Sequence, residues 1–420
     1  MTLAASVRAD FPRFWKTIEY SAEIGTGRSG GLSRLALSDA DRQMRDLFVT
    51  WCRDAGLSVT IDRVGNIHAR RAGRDDTLPP VLVGSHLDTQ ENGGRFDGIA
   101  GTLGALELVR SLNDAGHITR RPIEIVNWTN EEGARFSPPM TASGCFAGAY
   151  EVDWVHARQD DDGITFGEAL RSIGYLGDAA PGGRAIDSYF ELHIEQGPVL
   201  DAGNVQVGVV THGFRSHGYL VEFHGETAHT GPWPMERRRN ALIAAARLLV
   251  AVDDIGWEYA QTGGKGTGAR LVAWPNKAGI LSDWAQAVCD VRHDDPATAA
   301  IMASRVEAAI DAAAARTGCT ATTLDRWDWG GKIFDDALVA EIRRTASHLG
   351  YSHRDLPSQA GHDAYFLARI CPTAMIFTPC RGGITHNNNE NAGRADLEPG
   401  LNVLLHSVVA RADLEDDSIS

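Results

Sequence analysis

Four segments of the chain have the apolar or alternating pattern of strands and end abruptly in glycine or polar residues. They are Val81–Val83, Ile123–Trp128, Tyr189–Glu195 and Pro372–Phe377. Short runs bounded by turn-forming residues predict buried strands. Apolar side chains recur every three or four positions in two stretches between about residues 10 and 56 and again over residues 98–113, which predicts three helices.

The segment between about residues 213 and 329 has a different pattern. Strand-like stretches at 218–223, 269–274, 284–292 and 320–327 alternate with helical stretches at 234–252 and 296–316. The order β-α-β-β-α-β is that of the ferredoxin-like motif. Because 420 residues exceed one ordinary core, we expect residues 213–329 to form a separate domain. It would be inserted into a discontinuous catalytic domain made of residues 1–212 and 330–420.

Composition narrows the class of protein. The chain is 43% hydrophobic and 23% charged, with a net charge of −15, which argues against nucleic acid and anionic membranes as partners. No apolar run approaches the roughly 18 residues that a membrane span needs, and Arg8 and Asp10 introduce charge before a signal-peptide core could form. The six cysteines are scattered, which predicts reduced thiols and a cytoplasmic protein.

Histidines and carboxylates follow each of the four predicted strands. Taken singly, each has an ordinary explanation, such as a core histidine or a solvated acidic turn. Ligands bind outside the carboxyl ends of strands in open α/β sheets, so together they predict a metal site. The candidates are His86, Asp97, one glutamate of the Glu131–Glu132 pair, His193 and His386. Five ligands exceed those of one zinc ion, which favours two ions bridged by a carboxylate.

Motifs around these residues occur in the order of a known family. They are Gly84-Ser-His-Leu-Asp-Thr-Gln90, Gly93-Gly-Arg-Phe-Asp-Gly98, Asn130-Glu-Glu-Gly-Ala-Arg-Phe136, Glu191-Leu-His-Ile-Glu-Gln-Gly-Pro198, Gly361-His-Asp-Ala364 and Ile384-Thr-His-Asn387. From about residue 20 to 410 the chain resembles the amidase/hydantoinase/carbamoylase branch of the dinuclear-zinc aminoacylase-like metallopeptidases. The resemblance implies an α/β catalytic domain with a mixed central sheet and an inserted ferredoxin-like α+β lid and dimerisation domain.

The resemblance also implies which side chains hold the two divalent metal ions. His86 and His193 would bind one ion, Glu132 and His386 the other, and Asp97 would bridge them. Zinc is favoured, although manganese, cobalt and nickel suit similar ligands.

Catalytic roles follow from the same resemblance. Glu131 would act as the general base, because it is adjacent to a ligand yet free to move a proton. The carboxylate of Asp88 would hold the ring of His86 in one tautomer. His229, on the inserted domain, would reach the site of the neighbouring subunit and stabilise the oxyanion.

Substrate contacts are implied for Gln196, His229, Asn276, Arg292 and Gly383. Asn276 and Arg292 would grip a substrate carboxylate, for which the fork of the guanidinium is suited, and Gln196 would contact the ureido or amide group. The expected partners are a small ureido or acyl amino acid and a second copy of the chain, joined through the inserted domain.

Some positions depart from the family pattern. Arg215 and His217 add positive charge at the start of the inserted domain, and we hypothesise that they contact the substrate or control closure. Trp233 stands where a small hydroxyl residue is common, and it would line an apolar pocket or pack within its domain. The run Arg237–Arg239 fits an anion site or, as the favoured interpretation, a solvated helix face.

These observations favour a metal-dependent amidohydrolase that cleaves a linear C–N bond, the ureido group of an N-carbamoyl-L-amino acid above all. An N-acyl amino acid amidase or a dipeptidase would use the same site. A non-catalytic metal-binding scaffold is the remote alternative, because Glu131 and all the ligand candidates are present.

Overall fold

The computed structural model describes residues 6–415 and divides into two compact units. Unit 1 comprises residues 1–211 and 333–420, and unit 2 comprises residues 212–332. The observed bounds differ by only one to three residues from those expected for the inserted domain, residues 213–329.

Unit 1 alternates helices and strands along most of its length. Its elements in chain order are α1 (Phe11–Ala22), α2 (Asp39–Asp54), β1 (Ser58–Ile61), β2 (Ile67–Arg71), β3 (Val81–His86), α3 (Ile99–Asp114), β4 (Ile123–Trp128), α4 (Thr141–Phe146), α5 (Val152–His156), α6 (Phe166–Ser172), β5 (Ser188–Ile194), α7 (Val199–Gly203) and β6 (Val207–Gly213), the last strand running into unit 2.

Unit 2 and the return to unit 1 complete the list. Unit 2 contains β7 (Arg215–His224), α8 (Ala241–Tyr259), β8 (Lys265–Trp274), β9 (Trp284–His293), α9 (Pro296–Thr317) and β10 (Thr320–Trp329). Unit 1 then continues with α10 (Asp336–His348), β11 (His353–Ser358), α11 (Ala364–Leu367), β12 (Thr373–Thr378) and α12 (Arg394–Ala412).

An eight-stranded mixed sheet in the order β1-β2-β4-β3-β5-β12-β6-β11 forms the centre of unit 1. The neighbours β4, β3, β5 and β12 are parallel, whereas β2 pairs antiparallel with β4 and β6 pairs antiparallel with β12. Every residue of those four parallel strands is buried. Burial on both faces explains why their sequences are largely apolar.

Unit 2 has a four-stranded antiparallel sheet in the order β10-β7-β9-β8, with α8 and α9 packed on one face. This is the ferredoxin-like arrangement predicted from the order of elements. The predicted start of α8 at residue 234 is wrong, since residues 235–237 form a separate 3-10 turn and the helix begins at Ala241. The side chain of Arg238 holds this turn by donating to the carbonyl oxygens of Thr230 and Trp233.

Two observations concern the predicted cytoplasmic location of the protein. All six cysteines are free and buried, as expected of reduced thiols. Within residues 6–415, no helix combines the length and apolar character needed to cross a bilayer. The cytoplasmic location stays a prediction.

Candidate metal centre and active site

Four parallel strands deliver the candidate site residues to one edge of the sheet of unit 1. Strand β3 ends at His86, β5 carries His193 one residue before its end, and β4 leads into Glu131 and Glu132. The loop after β12 carries His386. Because the carboxyl ends of parallel strands meet at the same edge, residues far apart in sequence come together there.

The first ligand group consists of His86, Asp97 and His193. The Nε2 atom of His193 lies 3.2 Å from Oδ1 of Asp97, and the Nε2 atom of His86 lies 3.7 Å from the same oxygen. All three side chains are buried, and their candidate ligand atoms lie within 4.8 Å of one another. Gly98 makes this approach possible, because a Cβ atom there would lie 2.2 Å from Nε2 of His86.

The second ligand group consists of Asp97, Glu132 and His386. The Nε2 atom of His386 lies 3.3 Å from Oδ2 of Asp97 and 3.3 Å from Oε2 of Glu132. Asp97 therefore belongs to both groups, with Oδ1 facing the first and Oδ2 facing the second. A carboxylate with one oxygen directed at each of two ligand sets has the geometry of a bridge between two ions.

The main chain orients two of the imidazoles. Nδ1 of His86 donates to the carbonyl oxygen of Asp88 at 2.9 Å, and Nδ1 of His193 donates to the carbonyl oxygen of Ile194 at 2.9 Å. Each ring therefore has its Nε2, the candidate ligand atom, directed toward Asp97. The expectation that the carboxylate of Asp88 orients His86 is not met, since its Oδ1 lies 3.9 Å from the ring nitrogen. That carboxylate instead accepts the main-chain N–H of Glu132 at 3.3 Å.

The electrostatics of the site fit bound cations. Burial raises the pKa of Glu132 to about 8 and that of Asp88 to about 7, and nearby carboxylates add to both shifts. Burial and the charge of Asp363 hold the pKa of Glu131 well above its usual range. Burial lowers the pKa of His86 to about 4, which keeps that ring neutral. Asp97 and Glu132 favour the charged forms of the other two histidines, and the pKa rises to about 9 for His193 and about 10 for His386, despite burial. Carboxylates and imidazoles crowded in this way form the donor set that divalent ions such as zinc prefer.

Glu131 is buried and belongs to neither ligand group. Its Oε2 lies 3.4 Å from Nε2 of His86. The preceding residue, Asn130, has φ 59°, and its amide donates to the carbonyl of Phe136 at 2.7 Å and to the hydroxyl of Thr141 at 2.8 Å. Asparagine tolerates this left-handed conformation, which turns the chain sharply after β4. Glu131 thus lies beside the first candidate ligand group and belongs to neither group.

Gln196 and Gly383 lie in loops of unit 1. The Nε2 atom of Gln196 donates to Oδ2 of Asp97 at 2.7 Å, so Gln196 contacts the shared carboxylate directly. Gly383 has φ 68°, and a Cβ atom there would lie 2.5 Å from the nitrogen of Pro198. The close approach of the two backbone segments therefore requires a glycine at this position.

Sequence reasoning missed three residues that hold the ligands in place. Glu390 accepts the main-chain N–H of Asp97 at 3.2 Å, and the hydroxyl of Thr385 donates to Oδ2 of Asp97 at 2.7 Å. Gln90 donates to Oε2 of Glu132 at 3.0 Å. The sequence signal for these residues is their position close to the candidate ligands. Thr385 and Glu390 lie in the same loop as His386, and Gln90 ends the motif that begins with Gly84.

A further grouping of Glu191, His193 and His362 also has ligand atoms close together. The carboxylate of Glu191 is already occupied, because it accepts hydrogen bonds from Ser85, Tyr189 and the main chain of Ala364. The ring of His362 packs against that of His193, with the ring centroids 4.5 Å apart.

The remaining candidates lie in unit 2. The Nδ1 atom of His229 accepts the N–H of Gly231 at 3.0 Å, so the proton of this exposed ring lies on Nε2. Asn276 is exposed in the segment after β8. Arg292 faces Asp290, with Nε 3.0 Å from Oδ1 and Nη2 3.1 Å from Oδ2.

Arg215 and His217 lie beside a carboxylate within unit 2, and burial lowers the pKa of His217, which disfavours the positive charge expected there. Arg215 donates to Asp328, and Nδ1 of His217 lies 3.9 Å from the same side chain. Their proposed contact with substrate stays a hypothesis. Trp233 packs within its own domain, where its indole N–H donates to the carbonyl of Arg237 at 3.1 Å.

Known proteins are similar to this chain over nearly its whole length. The model of peptidase family M20/M25/M40 matches residues 82–410. An N-carbamoyl-L-amino-acid amidohydrolase of Rhizobium meliloti is 43% identical over 97% of this chain and 98% of its own length. A ureidoglycolate hydrolase of Arabidopsis thaliana is 31% identical over 96% of this chain and 87% of its own length.

Among solved structures, an amidase of the hydantoinase/carbamoylase family from Burkholderia vietnamiensis is 45% identical. It covers 98% of this chain and 100% of its own, with a TM-score of 0.95. The predicted fold class and family resemblance are confirmed. The chain belongs to peptidase family M20/M25/M40, in which it is similar to the hydantoinase/carbamoylase amidases.

Proposed function

We propose that this protein is a metal-dependent hydrolase that cleaves the ureido C–N bond of an N-carbamoyl-L-amino acid. Hydrolysis would yield the free amino acid, ammonia and carbon dioxide. The observation that carries the proposal is the shared position of Asp97 between two ligand groups, with Glu131 beside them. The names of the similar amidohydrolases support the choice of a ureido bond.

His86, Asp97 and His193 would hold one divalent ion, and Asp97, Glu132 and His386 a second. Bound ions of this kind lower the pKa of water and polarise a carbonyl oxygen. Zinc suits the mixture of imidazole and carboxylate, and manganese, cobalt or nickel would use the same ligands.

Glu131 would accept a proton from the attacking water and deliver it to the departing nitrogen. Burial raises its pKa, which suits this task, because a carboxylate of raised pKa is a stronger base toward the proton of the water. The Nε2–H of His229 would donate to the carbonyl oxygen as negative charge develops there. Asn276 and Arg292 would bind the substrate carboxylate, and Gln196 the ureido group.

We further propose a homodimer formed through unit 2. Three apolar residues of α8 recur every seven positions on one exposed face, with exposed fractions of 44% for Ile243, 62% for Val250 and 74% for Trp257. Strand β8 lies at the edge of its sheet and exposes Leu271 and Trp274. An exposed apolar stripe beside an unpaired strand edge is suited to a second copy.

Sedimentation of Trp257→Glu would test the homodimer. We expect the variant to be monomeric and the wild-type chain dimeric, with Glu258→Gln as a neighbouring control that stays dimeric. A monomeric wild-type chain would refute the proposal.

Ammonia release tests the proposed reaction. The metal-loaded protein would be assayed on N-carbamoyl-L-amino acids, N-carbamoyl-β-alanine, allantoate and N-acetyl amino acids, with Glu131→Ala as the blank. Ammonia from an N-carbamoyl-L-amino acid, absent in the blank, is the expected result. No release from any ureido compound would refute the proposal.

The peptidase family model favours one alternative, an N-acyl amino acid amidase or dipeptidase that uses the same site. Release of a free amino acid from an acyl substrate, without ammonia from ureido compounds, would establish it.

A further inference from the structure

A cavity of about 880 Å³ opens in unit 2 between the first turn of α8 and the last turn of α9. Five arginines line it: Arg237, Arg238, Arg239, Arg247 and Arg316. Only Glu226 and Glu236 contribute negative charge to its walls. Five positive charges against two negative ones make the cavity cationic, although the chain as a whole carries −15.

Four of these arginines have no carboxylate partner. Within residues 6–415, no ion pair involves Arg237, Arg239, Arg247 or Arg316. Arg238 is committed to the main chain, since it donates to the carbonyl of Thr230 at 2.6 Å and to that of Trp233 at 2.9 Å.

Other arginines of unit 2 behave differently. Arg215, Arg292, Arg305 and Arg326 each pair with a carboxylate, respectively Asp328, Asp290, Glu258 and Glu307. The chain as a whole is acidic, but the unpaired arginines give this cavity a positive electrostatic potential. Such a potential attracts an anion.

Two helix ends face the cavity. Helix α8 begins without a side-chain cap and without an acidic residue in its first turn, so its positive end is open, whereas α9 brings its negative end together with the charge of Arg316. The side chain of Arg239 extends past Gly318, the residue that caps α9. The cavity thus lies between the start of α8 and the end of α9, which are about 75 residues apart in sequence.

One wall of the cavity is apolar. Trp233, Met235 and Ile243 line it, and the bond from the Trp233 indole to the carbonyl of Arg237 holds the ring in place. A volume of about 880 Å³ exceeds what a single inorganic anion fills and falls in the range of small-molecule sites.

We propose that this cavity binds a phosphorylated small molecule. Arg239 and Arg316 would contact the phosphate, since guanidinium groups match its geometry with paired hydrogen bonds. The apolar part of the ligand would lie against Trp233 and Met235. Arg237 and Arg239 are exposed, in agreement with the solvated face favoured from sequence, and the proposed anion site uses the same exposed side chains.

Calorimetric titration of the metal-loaded full-length protein tests the proposal, with adenosine 5′-monophosphate, adenosine and inorganic phosphate as probes. We expect the monophosphate to bind at least tenfold more tightly than adenosine. The double variant Arg239→Gln/Arg316→Gln should weaken its binding at least tenfold.

The matched control is Arg305→Gln/Arg326→Gln, which removes the same charge from paired arginines of the same unit and should leave binding unchanged. Circular dichroism and the hydrolytic rate check that both variants are folded. If the first variant is unstable, Arg247→Gln alone should weaken binding at least threefold.

Three outcomes would overturn the proposal. One is the absence of binding by both the monophosphate and phosphate, and another is adenosine binding as tightly as its monophosphate. The third is binding of the monophosphate that is unchanged in the Arg239→Gln/Arg316→Gln variant. The phosphate would then be bound at the metal centre. Binding of inorganic phosphate that both substitutions abolish would support the proposal.

Discussion

The carboxylate of Glu390 is linked to Asp97 by two routes. Its Oε1 accepts the main-chain N–H of Asp97 at 3.2 Å, and the hydroxyl oxygen of Thr385 lies between the two carboxylates, 2.9 Å from Oε2 of Glu390 and 2.7 Å from Oδ2 of Asp97. Oε1 also accepts the N–H of Phe96 at 2.8 Å. One buried side chain therefore fixes both the backbone and a carboxylate oxygen of the shared ligand.

Glu390→Ala should lower both stability and metal affinity. The substitution leaves two buried N–H groups without acceptors, and each costs about 1–3 kcal/mol. Glu390→Gln keeps an acceptor for those groups and should retain most of the stability. Urea unfolding of the two variants measures the difference, and equal stability of Glu390→Ala and the wild-type chain would contradict the prediction.

Asp97→Asn should reduce the metal content more than His386→Ala does. Asp97 contributes to both ligand groups, whereas His386 contributes to one. We expect His386→Ala to lose the ion of one group and Asp97→Asn to weaken both. Elemental analysis after dialysis against metal-free buffer measures the content. Equal losses in both variants would argue against a shared ligand.

Glu131→Gln should lower kcat by roughly 10²–10⁴-fold, the usual contribution of a general base, while the metal content stays unchanged. The amide keeps the shape of the side chain but cannot accept the proton. Glu91→Gln is the control, since Glu91 is exposed in the same unit. Loss of metal from Glu131→Gln would show instead that Glu131 is a ligand.

Mixing inactive Glu131→Ala with inactive His229→Ala should restore activity if His229 serves the neighbouring subunit. After complete exchange, half of the dimers are mixed and each has one intact site, which predicts about one quarter of the wild-type rate. A mixture of Glu131→Ala with Asp97→Asn is the control and should stay inactive, because both substitutions damage the site of their own subunit. No recovery in the first mixture would place His229 in its own subunit or outside catalysis.

The stability contributed by His68 should depend on pH. Burial alone would lower its pKa, but hydrogen bonds and charges from Asp62 and Glu124 outweigh burial and raise the pKa to about 9. The folded pKa exceeds the ordinary value of 6.5, so this stabilisation is fully present below pH 6.5 and is lost as the pH rises through about 9. By linkage it amounts to roughly 3 kcal/mol.

Urea unfolding of the wild-type chain and His68→Gln at pH 6 and pH 10 checks this expectation. The difference in free energy of unfolding between the two proteins should be larger at pH 6. A difference that does not change with pH would indicate that His68 is neutral in the folded protein.

The sequence by itself determined the four parallel strands of unit 1, their polar ends and the candidate ligands, whereas β6 and β11 of the same sheet were not predicted. Apolar runs such as Val81–Val83 are local signals, because a strand buried on both faces has to be apolar along its length. Residues directly after such strands, such as Glu131 and Glu132, can therefore be assigned to one edge of a parallel sheet. The ligand set and the ferredoxin-like order of unit 2 followed from these local patterns and from the family resemblance.

Only the tertiary structure decided how each polar atom is used. The two oxygens of Asp97 face different ligand groups, and the carbonyl of Asp88, rather than its carboxylate, orients His86. These choices depend on distances of a few tenths of an ångström between distant segments. The same holds for the cavity between α8 and α9, where Arg239 and Arg316 meet only after folding. Patterns along a chain encode which face a residue occupies, but hydrogen bonds form between atoms that packing brings together.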